Sequence, residues 1–334
     1  MELIDIIRAL LGPAEFNDWL KQYSKQRSVP MRIRKLLFTG TPILYPDVKI
    51  PLSLLEDVLT NAPVVRRGTK HFALDFGKAS TQSIEVQGID LSHFMKGAEL
   101  NNLKSLGKVA LKQMLTIQMN KLSETTDKTV EALCAQSLTG SISYPMKTEG
   151  GALERYEIDL GTPLSHALTT KLDAGGATIM DVYTTLTAMH EKIKEKGFGD
   201  KVVTLAGSQV FNQILKLAEG SKTNLLKVEV GEGKVSIAGY VIELESGTYQ
   251  DVIGGSKQVV SKVDAKKLVM FDQNANQKLY YLALDDLDAG LKPLPIYIKP
   301  VKCDNPSGIE LLSSSKPFPA LNMNAVCWSS GALM

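Results

Sequence analysis

Residues 103–138, LKSLGKVALKQMLTIQMNKLSETTDKTVEALCAQSL, decide how the rest of this chain is read. Leu103, Leu106, Ala110, Met114 and Ile117 recur at helical spacing, and Leu111, Leu115, Met119 and Leu122 widen that apolar stripe. At 1.5 Å per residue such a helix is about 50 Å long, more than a compact domain needs along one edge, so it reads as a beam. Gly140 supplies a stop and Pro145 lies beyond it, while Gly107 and the polar run 123–128 are places where it can bend. The stripe loses any seven-residue register through 124–129, which weighs against a coiled coil.

Upstream of the beam, residues 64–86 alternate. Phe72, Leu74 and Phe76 share one side of a strand, and Ile84 and Val86 one side of another, with Gly77, Lys78, Ala79, Ser80 and Thr81 as an exposed turn. An isolated pair of strands is marginal in water, so this hairpin is expected to find its stabilising contacts on another subunit or element. Residues 1–60 hold no sustained period. Short helices fit 5–11 and 51–59, and the segment reads as an extended arm with helical pieces. Its basic cluster, Lys21, Lys25, Arg27, Arg32, Arg34 and Lys35, faces either DNA or an acidic partner, or else forms a solvated surface.

Downstream, residues 141–144 and 156–160 flank Gly150 and Gly151 as a second hairpin. Residues 178–290 then alternate: an amphipathic helix at 178–196, an apolar strand at 201–205, a capped helix at 208–218, and β-rich runs at 234–245, 266–271 and 278–284. The unit reads as α+β with a central sheet. From 296 to 328 the chain is strand-like, broken by Pro300, Pro306, Pro317 and Pro319.

With 334 residues, 44% hydrophobic and 22% charged, and a net charge of +2, the chain suits one large or two modest globular units and is neither disordered nor dominated by attraction to polyanions. No apolar run approaches the roughly 18–20 residues of a membrane span. Glu2 and Asp5 stand where a signal peptide is basic, so a cytosolic product with no membrane partner is expected. Cys134, Cys303 and Cys327 are few and far apart, as buried thiols in a reducing compartment would be.

Motifs with catalytic spacing fail on detail. Gly231, Glu232, Gly233 and Lys234 are followed by Val235, with no hydroxyl for a metal and no helix to receive phosphate, so they read as a β-turn. Asp272, Asn274 and Asn276 start like a calcium loop, but Gln277 and Ala283 stand where glycine and a bidentate acid belong. His71, His93, His166 and His190 have no metal-ligand spacing. Asp285, Asp286 and Asp288 form an acidic knot that suits a solvated loop better than a cation site. No enzyme activity and no cofactor are expected.

An arm, a projecting hairpin, a beam and a separate α+β lobe in this order resemble the lambda-type phage major capsid protein E family, which has the Hong Kong 97 fold. The likeness covers nearly the whole chain. It is carried by Glu131, Cys134, Ala135, Leu138, Thr139 and Gly140 running into Tyr156-Glu157-Ile158-Asp159-Leu160-Gly161. Val202-Val203-Thr204-Leu205 before Gln209-Val210-Phe211 continues it, followed by Tyr240 to Glu245 with Gly247-Thr248-Tyr249, then Lys267-Leu268-Val269-Met270, then Ser313 to Pro319 with Asn324-Ala325-Val326. The glycine-rich insert 146–155 departs from the family's pattern.

The resemblance implies an N-terminal arm at 1–60, an extended loop at 61–101, a peripheral domain at 102–160 plus 290–334, and an axial domain at 161–289. It further implies a self-assembling major capsid protein of a tailed phage or prophage, forming pentamers and hexamers of an icosahedral shell around double-stranded DNA. The implied partners are a portal, a separate scaffolding protein, a decoration protein and DNA bound without sequence specificity. The subunit would be assembled in the bacterial cytoplasm and would reside in the virion. Arg66, Arg67 and Lys70 at the hairpin base are candidates for contacts to acids on the next subunit, or a charged edge that prevents wrong pairing. Lys78 suggests a crosslinking lysine as in some relatives of the fold, but no acceptor or catalytic acid is identifiable, and only an inter-subunit contact is expected of it. An encapsulin-like nanocompartment and a small-molecule enzyme lobe at 178–290 remain the alternatives.

Overall fold

A computed structural model describes residues 3–51, 83–220, 226–253 and 255–333. The N-terminal segment is helical where its sequence shows no long period: α1 is Leu3–Leu10, α2 Pro13–Gln26 and α3 Arg32–Leu37. Phe16, Trp19, Leu20 and Tyr23 do stand at helical spacing in α2, over a span too short to stand out. Lys49–Pro51 forms a strand antiparallel to Ser83–Glu85, with Ile50 opposite Ile84. The described end of the expected hairpin's second strand is therefore paired with the arm. Its first strand, its turn and residues 52–59 of the expected helix lie outside the described residues.

The beam is two helices, α4 Gly97–Leu106 and α5 Lys108–Ser137, with Gly107 at φ +91° between them. Gly107 is thus the break that the sequence allowed. The run 123–128 does not interrupt the helix: α5 continues through it with Ser123, Thr126 and Asp127 buried. The 30 residues of α5 span about 45 Å. Of the widened stripe, Leu111, Leu115, Met119 and Leu122 are buried and Met114 packs at their edge, while Ile117 is 53% exposed. The buried stripe packs on Ile7, Trp19 and Tyr23 and on Met95, Ile298, Ile309 and Leu311. These last come from a three-stranded antiparallel sheet in the order Tyr297–Asp304, Ser307–Ser315, Ile89–Lys96.

Beyond Asp127 the helix is buried on every side from Val130 to Ser137, as expected for a helix threaded through a core. It ends at Gly140, φ +86°, where an added Cβ would meet the Gly161 carbonyl oxygen at 2.1 Å. The hairpin Ser141–Lys147 with Leu153–Asp159 follows, and the 146–155 insert closes it, Thr148 N–H donating to the Ala152 carbonyl.

The α+β lobe is built on a seven-stranded mixed sheet in the order Leu164–Ala167, Val326–Ser330, Leu268–Asp272, Val202–Ala206, Tyr240–Leu244, Lys234–Ile237, Val228–Gly231. The interior strand Leu268–Asp272 alternates by the two-residue period: Leu268 and Met270 face α6 (Ile179–Glu195) and α7 (Ser208–Glu219), whereas Val269 and Phe271 face the core around α5. Thr178 and Asp181 form a capping box on α6. The expected cap on the helix at 208 is absent. Gly207 precedes it, because a Cβ there would lie 2.0 Å from the Asp264 carbonyl oxygen.

The prolines expected to break the tail do not all do so. Pro300 sits within Tyr297–Asp304, and Pro317 and Pro319 within Pro317–Ala320, all edge strands of their sheets, where a missing N–H is tolerated. Pro306 lies in the turn between Tyr297–Asp304 and Ser307–Ser315.

Candidate assembly surfaces

Among the described residues, buried charges gather where α5 meets the arm and the lobe. Glu131, in an otherwise apolar turn of α5, accepts the Ile33 N–H at 2.8 Å and the Arg34 N–H at 3.1 Å, so its carboxylate caps the start of α3. Lys262 donates to the same carboxylate at 2.8 Å, and its own N–H is held by the Gly247 carbonyl at the base of the hairpin Thr248–Ile253 with Ser256–Ser261. One turn earlier, Asp127 accepts from the Tyr23 hydroxyl at 2.8 Å and pairs with Arg27 at 2.7 Å. Burial raises the Asp127 pKa despite Arg27 and Tyr23, and burial with the Asp127 charge raises that of Tyr23.

Two further ties join neighbouring elements. Arg32 pairs with Glu243 at 2.8 Å and Glu245 at 3.2 Å and donates to the Leu244 carbonyl. Burial acts to raise the Glu243 pKa, but Lys234 and Arg32 outweigh it and hold the group below its usual value. Arg155 grips Asp251 through both terminal nitrogens at 2.9 and 3.2 Å and also donates to Ser143. Gln136 bridges the Ser143 carbonyl and the Tyr249 hydroxyl, completing a clamp between two hairpins over α5. Each of these carboxylates meets a cation of its own chain, an arrangement that fixes orientation between elements. Glu131, Lys262, Arg155 and Asp251 were not singled out from sequence. The readable signal was a lone acid flanked by Val130, Ala132 and Leu133.

The basic arm divides. Arg27 and Arg32 are spent on internal ion pairs and Arg34 is half-buried, while Lys25 and Lys35 are exposed and Lys21 pairs only with exposed Asp18. Arg66, Arg67, Lys70 and Lys78 lie outside the described residues.

The motifs read as structural are so placed. Glu232 and Gly233 form the two-residue turn of a hairpin. Asp272 accepts N–H groups from Gly199, Asp200, Lys201 and Asn274, tying the turn after its strand to the loop after α6. His190 meets the Tyr240 hydroxyl and the Gly199 carbonyl. Cys134 and Cys327 are buried, while Cys303 is half-buried. The acidic knot is not simply solvated: Asp286 and Asp288 both pair with Lys299 at 2.7 Å, and Asp285 pairs with Lys316. Among the described residues no cluster of three or more His, Cys, Asp or Glu could hold a metal. No described helix is long and apolar enough to cross a membrane.

The sequence from residue 20 to residue 331 matches the family model of the phage major capsid protein E. The chain belongs to that family. In fold it is similar to a prophage protein of Escherichia coli CFT073 described as a capsid protein, with a TM-score of 0.61 at 17% identity over 93% of this chain and 97% of that one. A phage-related protein of Bordetella bronchiseptica RB50 gives 0.47 at 13% identity, covering 94% and 96% of the two chains. The capsid of cyanophage P-SCSP1u gives 0.43 at 12% identity, covering 89% and 85%. No curated protein sequence matches the chain. This member of the phage major capsid protein E family is a capsid protein of a tailed phage or prophage with the Hong Kong 97-like fold, a subunit that builds a shell and resides in the virion.

Proposed function

We propose that the subunit assembles into pentamers and hexamers that close into an icosahedral shell around double-stranded DNA. The observation that carries this reading is the match to the phage major capsid protein E family over residues 20–331, on a fold whose internal charges serve to fix one element against another. Heterologous contacts close into rings and curved shells when the rotation permits. In this reading residues 1–60 are the arm, 61–101 the extended loop, 102–160 with 290–334 the peripheral domain, and 161–289 the axial domain. Arg66, Arg67, Lys70 and Lys78 contact the next subunit, and the exposed Lys21, Lys25 and Lys35 face DNA or an acidic partner. The portal, a scaffolding protein and a decoration protein complete the particle, which assembles in the bacterial cytoplasm.

Negative-stain electron microscopy of the full chain expressed with the scaffold gene of its locus is expected to show shells, tubes or capsomer rings, eluting far above the monomer on size exclusion. A uniform monomer or dimer at high concentration would overturn the proposal. Nuclease-protected DNA inside particles formed with the packaging genes separates this reading from an encapsulin-like shell, which would enclose protein cargo.

A further inference from the structure

The N-terminal segment changes character between residues 28 and 29. Val29, Met31, Ile33, Leu37 and Phe38 are each no more than 8% exposed and belong to the core around the C-terminal half of α5. Glu131 pins the same stretch by accepting the Ile33 and Arg34 N–H groups. Before Val29 burial is sparse. Among the described residues 3–28 only Ile7, Trp19 and Tyr23 are buried, and they meet a separate cluster that contains Leu111, Leu115 and Met119 of α5.

The bonds that hold residues 3–28 are of one kind. Among the described residues their backbone hydrogen bonds close within the segment, and what reaches the rest of the chain is a row of side-chain contacts to α5. Lys112 meets Glu15 at 2.6 Å, Trp19 Nε1–H donates to Asn120 at 2.9 Å, and the Ser28 hydroxyl donates to Glu124 at 2.9 Å. The Tyr23 hydroxyl and Arg27 both meet Asp127, at 2.8 and 2.7 Å. The Glu15 and Glu124 contacts lie at the surface, where water replaces them at small cost. Few buried apolar contacts and exposed backbone bonds mark the low-stability end of a structure. Helices of 8 and 14 residues also do not persist undocked, so leaving α5 and losing helix are one event.

We propose that residues 3–28 are a strap that opens as one unit about the joint at 28–29, while α3 and everything packed with it stay folded. Opening bares the arm's share of the stripe around Leu115 and Met119 and adds it to Val109 and Ile117, which are already 73% and 53% exposed on the same helix. The strap thereby gates an apolar face of the beam. The device does not depend on the shell-building reading, and its test runs on the unassembled chain.

Native-state hydrogen exchange of the full chain, read by mass spectrometry across a series of low urea concentrations, tests this. Amides of α2 are expected to exchange roughly tenfold faster or more than those of α3 and of residues 130–137, with one shared opening constant. Their exchange should respond only weakly to urea, because the opening exposes little surface. Tyr23→Ala removes the buried ring and the bond to Asp127; it should speed α2 exchange by roughly a further tenfold and leave α3 within about twofold of the parent. Exchange of α2 and α3 at one rate with one urea slope in the parent chain overturns the strap. So does a Tyr23→Ala chain in which both helices accelerate equally, or one that fails to fold, since the strap does not carry the rest of the structure.

Discussion

Glu131 and Lys262 form a buried ion pair whose side chains are 3% and 9% exposed, and it joins the arm, the long helix and the lobe through one carboxylate. At the observed 2.8 Å separation the gross attraction is about 6 kcal/mol at an effective dielectric near 20. Desolvation offsets much of that, so the informative quantity is the cost of removing one partner, about 3–5 kcal/mol. Glu131→Gln keeps the shape but strands the Lys262 ammonium and turns an amide N–H toward a backbone donor of α3. It is expected to lose about 4 kcal/mol. Lys262→Met leaves Glu131 with its two backbone donors and is expected to lose less, about 2 kcal/mol. The double variant removes both charges and should recover part of the sum, with a coupling of about 1–3 kcal/mol. Urea unfolding of the unassembled chain, followed by the fluorescence of Trp19 and Trp328, gives each value from the shift in midpoint at constant slope. Single losses below about 0.5 kcal/mol, or losses that simply add in the double variant, would refute the pair as a junction.

Three further outcomes are expected. Leu115→Ala should destabilise the unassembled chain by about 2–5 kcal/mol, whereas Ile117→Ala, two residues away on the exposed side, should change it by under about 0.5 kcal/mol; chemical denaturation distinguishes the stripes. Burial acts to raise the Asp272 pKa, but four backbone N–H donors outweigh it and hold the carboxyl below its usual value, so protons bind the unfolded chain more tightly. Its stabilisation is therefore complete above about pH 4 and lost as pH falls through the folded value; Asp272→Asn should melt lower at pH 7 and show a flatter acid limb in thermal melts. Gly207→Val, which forces a side chain into the Asp264 carbonyl, should lower the melting temperature by several degrees, and a variant that melts with the parent would show that this approach relaxes freely.

Elements whose signal is local were legible in the sequence. The helix breaks where Gly107 stands, the two-residue turn at Glu232 and Gly233 joins its strands, and the β-rich runs around Lys234, Leu268 and Lys278 become strands, because glycine conformation and side-chain alternation act over a few residues. The order of these elements, with the residues that fill them, sufficed to place the chain in its family.

What only tertiary structure decided is which neighbour each surface meets. The apolar stripe of the long helix is wider than the face it buries, and the packing of Trp19, Met95 and Leu311 centres burial on Leu115 and leaves Ile117 exposed. The helices of α2 and α3 are too short to hold themselves in water and gain their stability from docking on α5. Glu131 reads as an ordinary helix-surface acid until Lys262, 131 residues away, is brought to it. Pro300 and Pro317 looked like strand breakers because a sequence does not say which strands will lie at a sheet's edge. Periodicity and turn chemistry are properties of neighbours along the chain, while burial and charge pairing belong to neighbours in space, and only the fold supplies those.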